Sequence, residues 1–197
     1  METYNLAYLT KKLYDTKLPV FSTKSLKDIL EVKKESTYFS VVERLTKAEV
    51  IKKIEKNKYI LSSPSANDFL IANFLYQPSY ISLETALNLH GILSQFPYEI
   101  TSITTRKTNR KKFEGKTFSY LQIKRNLFWG YVKMNDSLIA TPEKSLLDQI
   151  YFASKGLRSI SIDEYDTKTI NRRKLQNFAT RFPKTREFMR LLKSILL

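Results

Sequence analysis

Hydrophobic positions in the first sixty residues change their spacing several times, and each change marks an element. Tyr4, Leu6, Leu9, Leu13 and Tyr14 recur at helical intervals, which predicts a helix over 3–14. Leu18-Pro19-Val20-Phe21 ends it with an extended piece. Ser22 or Thr23 then caps a short helix that buries Leu26, Ile29, Leu30 and Val32. A turn at Lys33-Lys34-Glu35 leads to a second helix over 36–47, capped by Ser36 or Thr37. Phe39 or Val41, with Val42 and Leu45, faces inward there, while Ser40, Glu43, Arg44 and Lys47 face outward. Val50-Ile51, a tip at Glu55-Lys56-Asn57-Lys58 and Tyr59-Ile60-Leu61 predict a hairpin, with Asn57 best able to take a left-handed turn conformation. Two short helices and a hairpin are the pattern of a winged helix-turn-helix, although a generic helical corner with a hairpin has the same spacing. Ser62-Ser63-Pro64-Ser65 separates this first domain, 1–63, from a second, 64–197.

The second domain opens with a helix over 66–76, with Phe69, Leu70, Phe74 and Leu75 inward, and another over 83–89, capped by Ser82 and closed by Gly91. The period then shortens. Residues 99–105, 117–124 and 128–132 are rich in Ile, Thr, Phe and Tyr and read as antiparallel strands. Thr141-Pro142 starts a helix with Leu146, Leu147, Ile150 and Tyr151 on its core face, and Gly156 ends it. Leu175, Phe178, Ala179 and Phe182, then Phe188, Leu191, Leu192 and Ile195, form two final helical stripes. The fold class expected is α+β: an N-terminal winged helix-turn-helix, then a larger α/β domain with a small, mainly antiparallel sheet and C-terminal helices.

Charge sharpens this picture. With 34 Lys+Arg against 19 Asp+Glu, the formal charge is +15 and the pI about 9.8, which favours polyanionic partners, double-stranded DNA first among them. The excess is +5 over 1–63, +4 over 64–156 and +6 over 157–197, the distribution of a folded basic surface and not of a basic arm. No apolar run approaches the roughly 20 residues of a membrane span, and the N-terminus lacks the basic-then-apolar order of a signal peptide, so a cytoplasmic protein without a membrane partner is expected. The absence of cysteine removes disulfides and thiolate metal sites, and a single histidine, His90, cannot build an imidazole cluster. No cofactor and no enzymatic activity are expected.

Five blocks in the middle of the chain carry a resemblance. Tyr80-Ile81-Ser82-Leu83-Glu84-Thr85-Ala86-Leu87, Leu89-His90-Gly91, Ile103-Thr104-Thr105-Arg106-Lys107, Phe128-Trp129-Gly130-Tyr131 and Ile139-Ala140-Thr141-Pro142-Glu143-Lys144-Ser145-Leu146-Leu147-Asp148 resemble the AbiEi family in order and spacing. Its members are antitoxins of type IV toxin-antitoxin systems, also described as transcriptional regulators of viral defence. The resemblance implies a winged helix-turn-helix and an α/β domain, repression of the protein's own operon, and opposition to a nucleotidyltransferase-like toxin without a stable complex. Asn57 stands where the family usually has glycine, and Ser145 and Gln149 where Ala and Leu are more usual.

For a DNA reader, the candidate groove-facing residues are Ser36, Thr37, Ser40, Glu43 and Arg44 on helix 36–47, which would enter the major groove. Candidate phosphate contacts are Lys33, Lys34, Lys47, Lys56 and Lys58. The run Arg106-Lys107-Thr108-Asn109-Arg110-Lys111-Lys112, read as a loop between two strands, adds Arg106, Lys107, Arg110, Lys111 and Lys112 to the phosphate set. The tail cations Lys168, Arg172, Arg173, Lys174, Arg181 and Arg186 form a weaker set. An operator with inverted repeats would require a homodimer or paired monomers. Two alternatives use the second domain: a metal-dependent nuclease built on Glu114-Gly115-Lys116 with Glu99, and RNA stacking on Trp129, Phe128 and Tyr131. His90 is expected at a helix end bonding carbonyls, and Thr141-Pro142-Glu143-Lys144 as a structural helix start.

Overall fold

The computed structural model describes residues 5–62 and 67–196, and the chain divides into two compact units, Met1–Leu75 and Tyr76–Leu197. Tyr4 of the first predicted stripe and Ser63-Pro64-Ser65 of the predicted boundary lie outside the described residues. These form eight α-helices and two sheets in a mixed α and β architecture.

In the first unit, α1 (Leu6–Asp15) buries Leu9 and Leu13 but leaves Tyr14 exposed. β1 (Val20–Ser22) runs directly into α2 (Thr23–Leu30), where Ser22 and Ser25 cap each other reciprocally: each hydroxyl accepts the other's backbone N–H, at 3.1 and 2.8 Å. Glu31 ends α2 in the left-handed conformation at φ 55°. α3 (Glu35–Lys47) then begins one residue earlier than its serine and threonine predict. Lys34 holds the N-cap position without a side-chain bond, so neither Ser36 nor Thr37 is the cap. Glu35 in the first turn suits the positive end of the helix and pairs with Lys27 at 2.6 Å, which joins the end of α2 to the start of α3.

The buried stripe of α3 is Tyr38, Val41, Val42 and Leu45, so Val41 and not Phe39 faces inward. It packs on Leu9, Leu13, Phe21, Leu26 and Leu30 in one core. β2 (Ile51–Glu55) and β3 (Lys58–Leu61) form the hairpin, and β1 pairs with β3, giving the antiparallel order β1-β3-β2. Asn57 turns the hairpin at φ 64°. α4 (Asp68–Leu75), shorter than expected, completes the unit.

Burial pushes the Tyr38 hydroxyl up to about 12 from 10.0. A raised folded value contributes stability that is intact below the free phenol's value and is lost as pH climbs through the folded one. Urea titrations followed by circular dichroism should therefore find the wild type losing about 2 kcal/mol more than Tyr38→Phe between pH 10 and 12. Equal losses in the two proteins would contradict this.

The sheet of the second unit is larger and more mixed than expected: six strands in the order β6-β7-β5-β4-β9-β8. β4 (Ser79–Ile81) pairs antiparallel with β5 (Ile100–Thr104) and parallel with β9 (Ser137–Ala140). β7 (Lys116–Gln122) runs parallel to β5, while β6 (Asn109–Phe113) and β8 (Tyr131–Met134) close the two edges antiparallel. The predicted strand at 128–132 is only half right, since residues 128–130 connect a short 3-10 turn, Arg125–Leu127, to β8. α5 (Leu83–Leu89) packs on β5 and on α6 (Pro142–Ala153), which α7 (Arg172–Ala179) and α8 (Arg186–Leu196) also cover. Every residue from Glu143 to Phe152 is consequently buried. No helix among the described residues is long and apolar enough to cross a membrane.

Candidate nucleic-acid interface

The inward stripe of α3 is centred on Leu45, and the opposite side of the helix is its exposed face. Ser36, Ser40, Glu43, Arg44 and Lys47 all lie there, and Thr37 sits half-buried at its margin. Glu43 and Lys47, one turn apart, pair at 2.7 Å, and that contact holds the Glu43 carboxyl below its usual range and the Lys47 ammonium above its own. Lys33 and Lys34 are exposed just before the helix, and Lys56 is exposed in the hairpin turn. Lys52 and Lys53 on β2 are exposed as well, because β2 is a sheet edge.

Lys58 differs from the other predicted cations. Its ammonium is 2.6 Å from Glu55, donates to the Leu75 carbonyl and lies 5.7 Å from the centre of the Phe74 ring. It is committed inside the unit. The hairpin turn is tied to the start of α2, where the Thr23 backbone N–H donates to the Asn57 carbonyl at 3.0 Å and the Thr23 hydroxyl donates to Asn57 Oδ1 at 3.2 Å. A cleft of ≈ 470 Å³ lies there, lined by Ser22, Thr23, Lys24, Lys27, Asp28 and Asn57.

The basic run of the second unit is a loop only over Arg106-Lys107-Thr108. Asn109–Phe113 forms β6, because Glu114 (φ 47°) and Gly115 (φ 76°) make a two-residue turn that folds it onto β7. An edge strand needs one partner and tolerates cations, which also discourage another chain from adding to the edge. The predicted phosphate set is therefore split, with Arg106 and Lys111 both over the Tyr76 ring and Arg110 turned to a carboxylate. Arg110 pairs with Glu99 at 2.6 Å, and Arg106 stacks 4.3 Å from the Tyr76 ring centre. Lys111 alternates with Arg110 and Lys112 across the strand, and Lys107 precedes it, exposed. A cleft of ≈ 660 Å³ beside this edge includes Arg110, Ser119, Leu121, Phe152 and Arg158. Both its arginines already face carboxylates, with Arg158 Nε 3.7 Å from Glu84.

Glu114 lies in that hairpin turn and Lys116 directly after it; no group of three or more His, Asp or Glu among the described residues is placed to hold a metal. His90 ends α5, and its Nε2 bonds not its own helix but the Ala140 carbonyl, at 2.8 Å. Trp129 packs edge-on against Phe178 and Phe182, and Phe128 and Tyr131 pack on Tyr80. Of the tail cations, Lys174 pairs with Glu143 at 2.8 Å and Arg181 covers the Trp129 ring at 4.6 Å.

The densest group of ionisable side chains is sealed. Lys144 and Asp148, one turn apart on α6, form an ion pair with both side chains 0% exposed. The ammonium also donates to the Tyr80 hydroxyl at 2.8 Å, and Asp148 accepts from Tyr80 at 2.9 Å and Ser82 at 2.8 Å. Tyr80, Trp129 and Phe182 surround the cation with ring centres 5.2–5.3 Å away. Burial pushes Lys144 down and Asp148 up, each opposed by its partner's charge. Gly130, at φ +77°, leaves the space for this arrangement, since a Cβ there would lie 2.9 Å from Lys144 Cγ. With no path to solvent, the pair is a core device. No protein-family model matches the chain, and no curated protein matches it.

Proposed function

We propose that the chain is a DNA-binding transcriptional regulator of the AbiEi antitoxin type, whose first unit is a winged helix-turn-helix. In this reading α3 enters the major groove with Ser36, Thr37, Ser40, Glu43 and Arg44 toward the base edges. Lys33, Lys34, Lys47 and Lys56, joined by Lys52 and Lys53 of the hairpin, contact phosphates, and Lys58 braces the hairpin from within. The observation that carries the reading is the helix itself: α3 buries one complete stripe and leaves exposed a face that is polar except for Phe39, directly followed by a cationic hairpin. Residues 33–58 hold eight cations and four carboxylates, the electrostatic footprint a duplex requires.

The resemblance extends the reading to repression of the protein's own operon in the cytoplasm, on inverted repeats bound by a homodimer or paired monomers. It also pairs the protein with a nucleotidyltransferase-like toxin that it counters without a stable complex. A gel-shift titration against the protein's own upstream region should give a sequence-specific complex that weakens with salt. Equal affinity for scrambled duplex of the same composition would overturn the regulator reading.

A further inference from the structure

One side chain on the outward face of α3 does not belong with its neighbours. Phe39 is 64% exposed, the most exposed large hydrophobic residue among those described in the first unit. Ser36 lies one turn before it, Glu43 one turn after, and Ser40 beside it, all exposed. Its ring stands edge-on to the buried Tyr38 ring, with centroids 5.6 Å apart and planes at 65°. Tyr38 is itself fixed in the core at 1% exposure. The exposed ring is thus backed by a rigid one and held outward, in the N-terminal half of the helix.

We propose that Phe39 reads the C5-methyl group of a thymine in the major groove. This rests on the DNA-binding reading above and adds the chemistry of one contact to it. Base edges in that groove offer hydrogen-bond donors and acceptors throughout, and thymine's methyl is their apolar feature, a known partner for phenylalanine. The occupant follows from charge. Glu35 and Glu43 lie one turn either side of Phe39, but over the whole face and hairpin the cations Lys33, Lys34, Arg44, Lys47, Lys52, Lys53 and Lys56 outnumber the carboxylates, which fits a polyanion, and an apolar probe on such a face is matched by an apolar spot on that polyanion. The helix position agrees, because N-terminal residues of a recognition helix lie nearest the base edges.

The test uses the full chain and the tightest duplex selected from a random pool. Each thymine is replaced in turn by deoxyuridine, which removes the methyl and nothing else. Wild-type binding should weaken by about 3–10-fold at one thymine of each half-site and stay unchanged elsewhere. Phe39→Ala should lose a similar factor on the parent duplex and lose nothing more on the deoxyuridine duplex, with an unaltered circular dichroism spectrum. Phe39→Leu should retain part of the methyl preference. The proposal is overturned if no thymine is methyl-sensitive, if Phe39→Ala is as sensitive to methyl removal as wild type, or if that substitution changes the oligomeric state and not the affinity. Failure of the wild type to select any duplex overturns the DNA reading instead, so the two failures are distinguishable.

Discussion

Asp148→Ala is expected to destabilise the protein by about 3–5 kcal/mol, the cost of leaving one charge of a buried pair uncompensated. The change strands the Lys144 ammonium at 0% exposure with the Tyr80 hydroxyl as its remaining polar contact, and it removes the acceptor of both Tyr80 and Ser82. Aromatic rings around the cation soften this loss without replacing a carboxylate, since a ring face brings no counter-charge. Lys144→Met with Asp148→Leu should be milder than Asp148→Ala alone, because no charge is left uncompensated, and its remaining cost is the acceptor lost by the Tyr80 and Ser82 hydroxyls. Urea denaturation followed by circular dichroism checks both. A loss below about 1 kcal/mol for Asp148→Ala would mean that the pair is not buried as described.

The second large effect concerns salt. Replacing Lys33, Lys34 and Lys56 together by alanine should weaken duplex binding by roughly two to three orders of magnitude at about 0.1 M salt, equally for operator and scrambled DNA. The plot of log affinity against log salt should become shallower by about 3, one for each phosphate contact removed. The uniformity matters as much as the size, because phosphate contacts carry no sequence information. Fluorescence anisotropy over a salt series gives both quantities. An unchanged slope would place the duplex elsewhere than on this face and refute the assignment of these three lysines.

Elements whose caps and stripes agree were legible from residues alone. Ser22 as a cap, the left-handed Asn57 and the Thr141-Pro142 start all stand where local chemistry puts them. The choice between Phe39 and Val41 stayed open and Tyr38 was missed, because Val42 and Leu45 accept either neighbour until the first turn of the helix is fixed. Glu35 fixes it, and Tyr38 then completes the stripe. β4 and β9 escaped notice for another reason. They are three and four residues long and buried along almost their whole length, so they show no alternation. β6 was concealed by its lysines and arginines, which count against a strand by propensity yet suit an edge. At the candidate site, the outward residues of α3 could be read from periodicity, whereas the commitment of Lys58 to Glu55 and Leu75 depends on contacts that no local pattern encodes.

Trp129 is the chain's one tryptophan, and it sits against the buried ammonium and under Arg181 in the second unit. Its emission is thus a spectroscopic label that the protein already carries, sensitive to the aromatic enclosure around Lys144. Secondary-structure signals come from both units. If the two melt separately, indole emission and ellipticity will trace different transitions; if they melt together, the curves will superimpose.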